Sequence, residues 1–310
     1  MIANWDDVEP RRRAKGEMDA TWQALGNAAG AVGVGVNRVR IEPGKLSTPP
    51  HSHGASEEIV FVLGGSGLSW QDGQVYELRG GDCIVHLADH EEHTLRGGPD
   101  GLEVLVYGTR HPTELGWLPR SSAIRLGWPW VQGRTDDPWD VEAEADPLEV
   151  GEAAPRPANI VSLDEIEGTY GGTLKDLSAA AGSVRTGLRW LRLPPGEIGA
   201  PPHCHSSEEE VFVVLDGEGT LELWPAPAAK ERGVPREDVS VRAGDVVARP
   251  PATQLAHAFR AGATELTLLM YGTREPNDIC YYPRSRKIAW RGIGVRARLD
   301  HLAFDDGEPD

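Results

Sequence analysis

The stretch "PPHSHGASEEIVFVLGGSG", residues 49–67, decides how this chain is read, because it returns as "PPHCHSSEEEVFVVLDGEG" at residues 201–219. Both copies open on two histidines one residue apart, pass through glutamates and enter an apolar run. His51, His53 and Glu58 recur as His203, His205 and Glu210 at a constant offset of 152. Upstream, "RVRIEPG" (38–44) matches "RWLRLPPG" (189–196). Downstream, "YGTRHPTELGWLPRS" (107–121) matches "YGTREPNDICYYPRS" (271–285), now at an offset of 164. The chain is an internal repeat whose second copy is twelve residues longer. The polar, proline-punctuated "PAPAAKERGVPRE" (225–237) is expected to hold most of that excess as a hairpin loop.

The repeat sets the domain organisation. The first unit covers residues 1–130 and the second 159–304. Residues 131–158, rich in acid and proline, read as a linker, and 305–310 as an acidic tail. Within each unit the signal is for strands. "EIVFVLGGSGLSW" and "EVFVVLDGEGTLEL" are β-branched and aromatic and close in glycine turns. "ELRGGDCIVHL" and "VRAGDVVARP" each place Gly-Asp before an apolar strand. Helical periodicity is scarce; "SLDEIEG" (162–168) is expected to supply at most one helical turn. With 37 glycines and 24 prolines in 310 residues, the pattern predicts an all-β chain of two tandem units, each a sandwich or a barrel.

Composition excludes several classes of function. The formal net charge of −17 repels phosphate, so no nucleic-acid partner is expected. No apolar run reaches the roughly 18 residues of a membrane span, and the N-terminus does not read as a secretory signal. The basic triplet Arg11–Arg13 is read as a solvated turn. Three cysteines, Cys83, Cys204 and Cys280, without a CxxC pair, suit a reducing compartment. A cytoplasmic protein is expected.

In a strand, residues i and i+2 share a face. His51 and His53 therefore point together, as do His203 and His205, while Ser52 and Cys204 point away. Glu58 and Glu210 begin the next strand, with Val60 and Val62, or Phe212 and Val214, facing the same interior. Glu57 and Glu209 should point outward. An unpaired carboxylate in an apolar cavity costs several kcal/mol, and a divalent cation removes that cost. A fourth donor is expected from a later strand. The second unit offers His257; the first offers His90 and His93, and the offset of 164 selects His93. His86 is read as a core histidine, and His111 and His301 as exposed. Arg110 and Arg274 of the repeated "YGTR" are read as barrel-end ion pairs. The ten tryptophans, including "GWPW" (127–130), are read as packing and interface residues. Tyr281 and Tyr282 are candidates to cover a cavity mouth.

Each unit resembles a cupin, and the chain resembles a bicupin. The motif G-x5-HxH-x3,4-E-x6-G is carried by Gly44, His51, His53, Glu58, Gly65 and again by Gly196, His203, His205, Glu210, Gly217, with one extra residue after each first glycine. Gly81 with His93, and Gly244 with His257, fit the second motif, whose Pro-x-Gly is absent from "HLADHEEH" and "RPPATQLAH". The resemblance implies two double-stranded β-helix (jelly-roll) barrels with little helix. It also implies metal ligation by His51, His53, Glu58 and His93, and by His203, His205, Glu210 and His257. Three imidazoles and a carboxylate suit Fe(II) or Mn(II) at an open site, with Zn, Ni or Cu as alternatives. The expected function is that of a metal-dependent oxidoreductase of dioxygenase type. Its small oxygen-bearing substrate would be chelated to the metal, with the second centre favoured. A non-redox decarboxylase, isomerase or lyase, and a non-catalytic small-molecule binder, are the alternatives. The resemblance further implies a homodimer.

Overall fold

A run such as Ile59-Val60-Phe61-Val62 has no polar side to show to water, so it forms a strand covered on both faces. The computed structural model describes residues 2–126, 130–131, 137–303 and 305–307, and builds each unit around such strands. In the first unit the large sheet runs in the order Ile160–Ser162, Asp82–His86, Glu58–Gln71, His93–Thr109, Val34–Ile41, Met18–Gln23, Arg11–Lys15. Gln74–Arg79 also pairs with Glu58–Gln71. A smaller sheet holds Trp130–Val131, Ala123–Leu126, Leu115–Leu118 and Ser52–His53. The second unit repeats this plan. Its large sheet is ordered Ile2–Asn4, Asp245–Arg249, Glu210–Pro225, Leu255–Thr273, Thr186–Leu193, Leu174–Asp176, with Glu237–Arg242 on Glu210–Pro225. Its small sheet holds Cys204–His205, Ile279–Tyr282, Lys287–Trp290 and Val295–Arg298. The architecture is all-β, and the α-helices among the described residues are short: Leu25–Ala28, Pro138–Glu144, Leu177–Ala180 and Pro227–Glu231.

Alternation along the central strands divides the apolar residues between two cores. Val60 and Val62 face the interior of the first barrel with Val39, Leu95 and Val104. Phe212 and Val214 do the same in the second with Phe259 and Leu266. Their neighbours Ile59, Phe61, Val211 and Val213 face the opposite way, into one core shared by both units. Tyr107 and Tyr271 of the two "YGTR" repeats meet there with ring centroids 5.1 Å apart. The units also trade strands. Ile2–Asn4 pairs with Asp245–Arg249 of the second barrel, and Ile160–Ser162 pairs with Asp82–His86 of the first. Each barrel thus takes its edge strand from the segment preceding the other in sequence.

Several expectations change at this level. The glycines of "GGSG" and "DGEG" bulge their strands without ending them. The register slips between Val62 and Gly64, Gly65 and Gly67, and at the matching pairs Val214/Asp216 and Gly217/Gly219. Gly217 has φ +81°, and a Cβ there would collide with the Glu265 carbonyl, so only glycine lets the strand bend at this point. Arg11–Arg13 belongs to an edge strand, not a turn. "SLDEIEG" forms turns after its first residue and contains no helix. The hairpin that needs only Asp72 and Gly73 in the first unit is bridged by residues 224–236 in the second, and Pro227–Glu231 is helical. Within 131–158, Pro138–Glu144 is also a helix. Its Trp139 is buried against Met18 and Leu46 under the Arg13 guanidinium, 3.6 Å from the ring centroid. Residues 127–129, in "GWPW", lie outside the described residues.

Candidate metal centres

The local backbone delivers the histidines. His51 and His93 form a two-bond antiparallel bridge, N to O distances 3.1 and 2.8 Å, and His203 and His257 repeat it at 3.2 and 2.9 Å. This bridge joins the first histidine of each HxH to the start of the long strand that carries the fourth donor. His53 and His205 are held by the small sheet, paired with Gly116 and Cys280. Glu58 and Glu210 open the central strands.

In the first unit one ligand atom from each of His51, His53, Glu58 and His93 lies within 4.8 Å of all the others. His53 Nε2 is 3.5 Å from one Glu58 oxygen and His93 Nε2 is 3.4 Å from the other. The second unit is less symmetric. His203, Glu210 and His257 gather in the same way, but His205 falls in a different triple with His203 and Cys280. Its Nε2 is still 3.3 Å from Glu210. The tighter quartet is therefore the first, whereas sequence favoured the second. His90, on its loop, bonds the Ala88 carbonyl and takes no part.

The ring nitrogens facing outward are anchored, which aims the others inward. Nδ1 of His51, His93 and His203 lies 3.0, 3.2 and 2.8 Å from the carbonyls of Pro49, Glu91 and Pro201. His205 Nδ1 is 2.7 Å from Asp278, and His53 Nδ1 is 3.5 Å from Glu114. These two acids occupy the same place in the "YGTR" repeats, 164 apart. That coincidence inside already aligned segments was the signal available to find them, and sequence reasoning passed over it. Asp278 is buried and also accepts from the Ser207 and Glu208 amides at 3.0 and 3.2 Å.

The donor set fits a divalent cation. Nε2 of His53, His93, His205 and His257, and one oxygen of Glu210, are buried with no hydrogen-bond partner, an expensive state unless a ligand fills it. In each pocket burial and charge pairing act in opposite directions. Burial lowers the His53 imidazole, but Glu114 and Glu58 outweigh it and hold the group at about 9. His205 rises to about 10 against the same burial because of Asp278 and Glu210. His51, buried and facing His93 and His53, falls to about 3, and His257 to about 4 through burial. Burial would raise Glu58 and Glu210, yet their imidazole partners keep both well below the carboxylate range. A bound cation would compete with protons for these same nitrogen and oxygen atoms.

A cavity of about 50 Å³ adjoins the first centre. His51, Glu58 and His93 meet Ser47, Thr48 and Thr94 there, under Trp22, Val39 and Val106. His86 lies behind, buried and stacked on His93 at 3.7 Å between centroids, with its Nδ1 2.7 Å from Glu91. In the second unit Tyr282 stacks on His203 at 5.8 Å, while Tyr281 pairs across from Cys204, away from the donors.

Glu57 and Glu209 do turn away from the donors, but not towards water. Glu57 is buried and accepts five hydrogen bonds from residues 183–186 of the second unit. Glu209 accepts from the Val32 and Gly33 amides of the first. Arg110 hydrogen-bonds the Ala31 carbonyl and the Asn27 side chain in place of the expected ion pair. Arg274 combines the Ser183 carbonyl with an ion pair to Asp176.

Comparison with known proteins agrees with this geometry. The Cupin domain family matches residues 37–105 and 189–271. Auxin-binding protein T92 of Nicotiana tabacum is 35% identical over 103 residues, which cover 32% of this chain and 53% of that protein. The match thus spans about half of that relative's length. Among solved structures, oxalate decarboxylase from Bacillus subtilis at pH 4.6 is 16% identical with a TM-score of 0.58, covering 87% of this chain and 75% of that one. The same enzyme, in work on its Mn(II) centres, is 13% identical with a TM-score of 0.59, covering 90% and 78%. At such identities the likeness speaks for the fold. With two matched segments, two barrels of one plan and a likeness that runs across both, this chain is a bicupin of the cupin superfamily.

Proposed function

We propose that the chain is a divalent-metal-dependent enzyme that activates a small oxygen-bearing organic substrate at its first centre, in a dioxygenase-type oxidation. The observation that carries this reading is the quartet His51, His53, Glu58 and His93 converging beside a cavity with a mixed lining. Iron or manganese, the ions favoured there, would supply Lewis acidity and a route for electrons. The chain's own residues do the rest. Glu58 would lower the net charge of a bound ion, and Glu114 fixes the His53 ring. The Ser47 and Thr48 hydroxyls offer hydrogen bonds to substrate oxygens, while the Thr94 hydroxyl donates to the Thr48 carbonyl and braces that wall. Trp22, Val39, Val104 and Val106 keep bulk water out, which strengthens each of these interactions.

Size narrows the substrate. A water needs roughly 10–15 Å³ of such space, so about 50 Å³ takes a compound of only a few heavy atoms, such as a short hydroxy or keto acid. A non-redox decarboxylase is the second reading, favoured by the likeness to oxalate decarboxylase along 87% of the chain. Cytoplasmic location, which the three free thiols suit, and a homodimer belong to the same proposal.

The test is metal analysis of chain purified without chelator, followed by oxygen uptake and CO₂ release with short hydroxy, keto and dicarboxylic acids. Oxygen consumption abolished by His51→Ala supports the oxidation. CO₂ release without oxygen consumption selects the decarboxylase. Metal bound with neither turnover overturns both in favour of a binding protein.

A further inference from the structure

The two centres differ at one position that the repeat makes directly comparable. On the small sheet of the first unit, Gly116 stands across from His53. On that of the second, Cys280 stands across from His205. Cross-strand partners share a face, so the side chain of residue 280 enters the pocket where the first unit has none. Its Sγ and one nitrogen from each of His203 and His205 lie within 4.8 Å of one another, a span that one ion's coordination sphere can bridge. Cys280 is buried and forms no disulfide. Beside it, His205 Nε2 is buried without a hydrogen-bond partner, 3.3 Å from a Glu210 oxygen. Tyr282, two residues on and therefore on the same face, closes the arrangement by stacking on His203. Cys204, the neighbour whose position in "HCH" draws attention, pairs with Tyr281 on the opposite face.

We propose that the second centre is a sulfur-bearing metal site in which Cys280 ligates the ion with His203 and His205, while the first centre is bound by nitrogen and oxygen alone. The proposal rests on reading both pockets as metal sites. Glu210 and His257 complete the second set from the other side, where Nε2 of His257 is 3.0 Å from Glu210. A thiolate shifts preference towards softer ions such as zinc, cobalt or copper, whereas the first set suits manganese or iron. A single chain would then hold two different metals: one in the centre proposed for catalysis, one in a centre closed by its own thiol.

The experiment loads the whole chain with cobalt(II), counts bound metal, and records the near-ultraviolet spectrum. A thiolate-to-cobalt charge-transfer band is expected. It should be lost in Cys280→Ser and His203→Ala, and kept in Cys204→Ser, Cys83→Ser and His51→Ala. X-ray absorption of the zinc-loaded wild-type chain gives a readout independent of any variant's folding: a zinc–sulfur distance of about 2.3 Å, averaging one sulfur over two ions. Two ions bound without a band or a sulfur shell overturn the proposal and leave the metal reading standing. A band that survives in Cys280→Ser overturns it as well. No ion bound under any condition refutes the metal reading itself.

Discussion

Replacing Glu57 by glutamine tests the idea that the two barrels are held together by reciprocal buried carboxylates. One Glu57 oxygen accepts from the Val184 and Arg185 amides at 2.9 and 2.8 Å. The other accepts from Ser183 Oγ, Thr186 N and Thr186 Oγ1 at 2.8, 3.0 and 2.8 Å. The three amides can only donate, whereas the two hydroxyls can also accept. A glutamine keeps one oxygen and must turn its NH₂ either against the Val184 and Arg185 amides or against Thr186 N and the two hydroxyls, so at least one buried amide loses its acceptor. An unsatisfied buried donor costs about 1–3 kcal/mol, and a hydrogen bond to a charged group is itself worth about 1.5–3 kcal/mol. These terms overlap, so the expected loss is about 4 kcal/mol. Glu209 accepts only from Val32 N and Gly33 N, at 2.8 and 2.5 Å, so Glu209→Gln should cost about half as much by the same scale. The assay is equilibrium unfolding in urea for wild type and both variants, with tryptophan fluorescence and circular dichroism followed together. The effect also has a pH signature. Burial would raise the Glu57 carboxyl, but the amides and hydroxyls around it outweigh this and lower it. A carboxylate lowered on folding adds stability that is complete above its unfolded value, roughly 4.3, and is lost as pH falls through the lower folded value. The gap between wild type and Glu57→Gln should therefore be full at pH 7 and shrink in acid below about pH 4. A Glu57→Gln cost under about 1 kcal/mol, or one smaller than that of Glu209→Gln, would refute the reasoning.

The remaining predictions are simpler. Asp278→Asn and Glu114→Gln should each weaken metal binding at their own centre by about 10–100-fold and leave the other unchanged, as read by competition with a chromophoric chelator. Gly217→Ala combines positive φ with a collision against the Glu265 carbonyl. It should cost at least about 2 kcal/mol, measurably more than Gly73→Ala, where φ is also positive but no atom lies within 4 Å. Trp139→Ala should cost about 3–4 kcal/mol in thermal unfolding, because Trp139 fills a cluster with Met18 and Leu46. A loss below about 1 kcal/mol would mean that the helix Pro138–Glu144 is only loosely attached.

The repeat made much of this molecule legible. Two offsets located both barrels and placed the longer hairpin, and they put His93 and His257 in matching positions. Strand alternation separated Val60 and Val62 from Ile59 and Phe61, and turned Cys204 away from the donors. These are readings of period and register, which neighbouring residues fix locally. Glu57 shows where such reading stops. Alternation correctly turned it away from the donors, but whether water or another unit lies on that side depends on packing between segments more than a hundred residues apart. The same holds for Ile2–Asn4 and Ile160–Ser162, whose partners belong to the other repeat. It holds for Cys280, whose entry into the second pocket follows only from its pairing with His205. Local sequence determines which way a side chain points along its own strand. What it then meets is decided by long-range pairing and burial, because those contacts exist only once the two sheets have closed and the shared core has expelled its water.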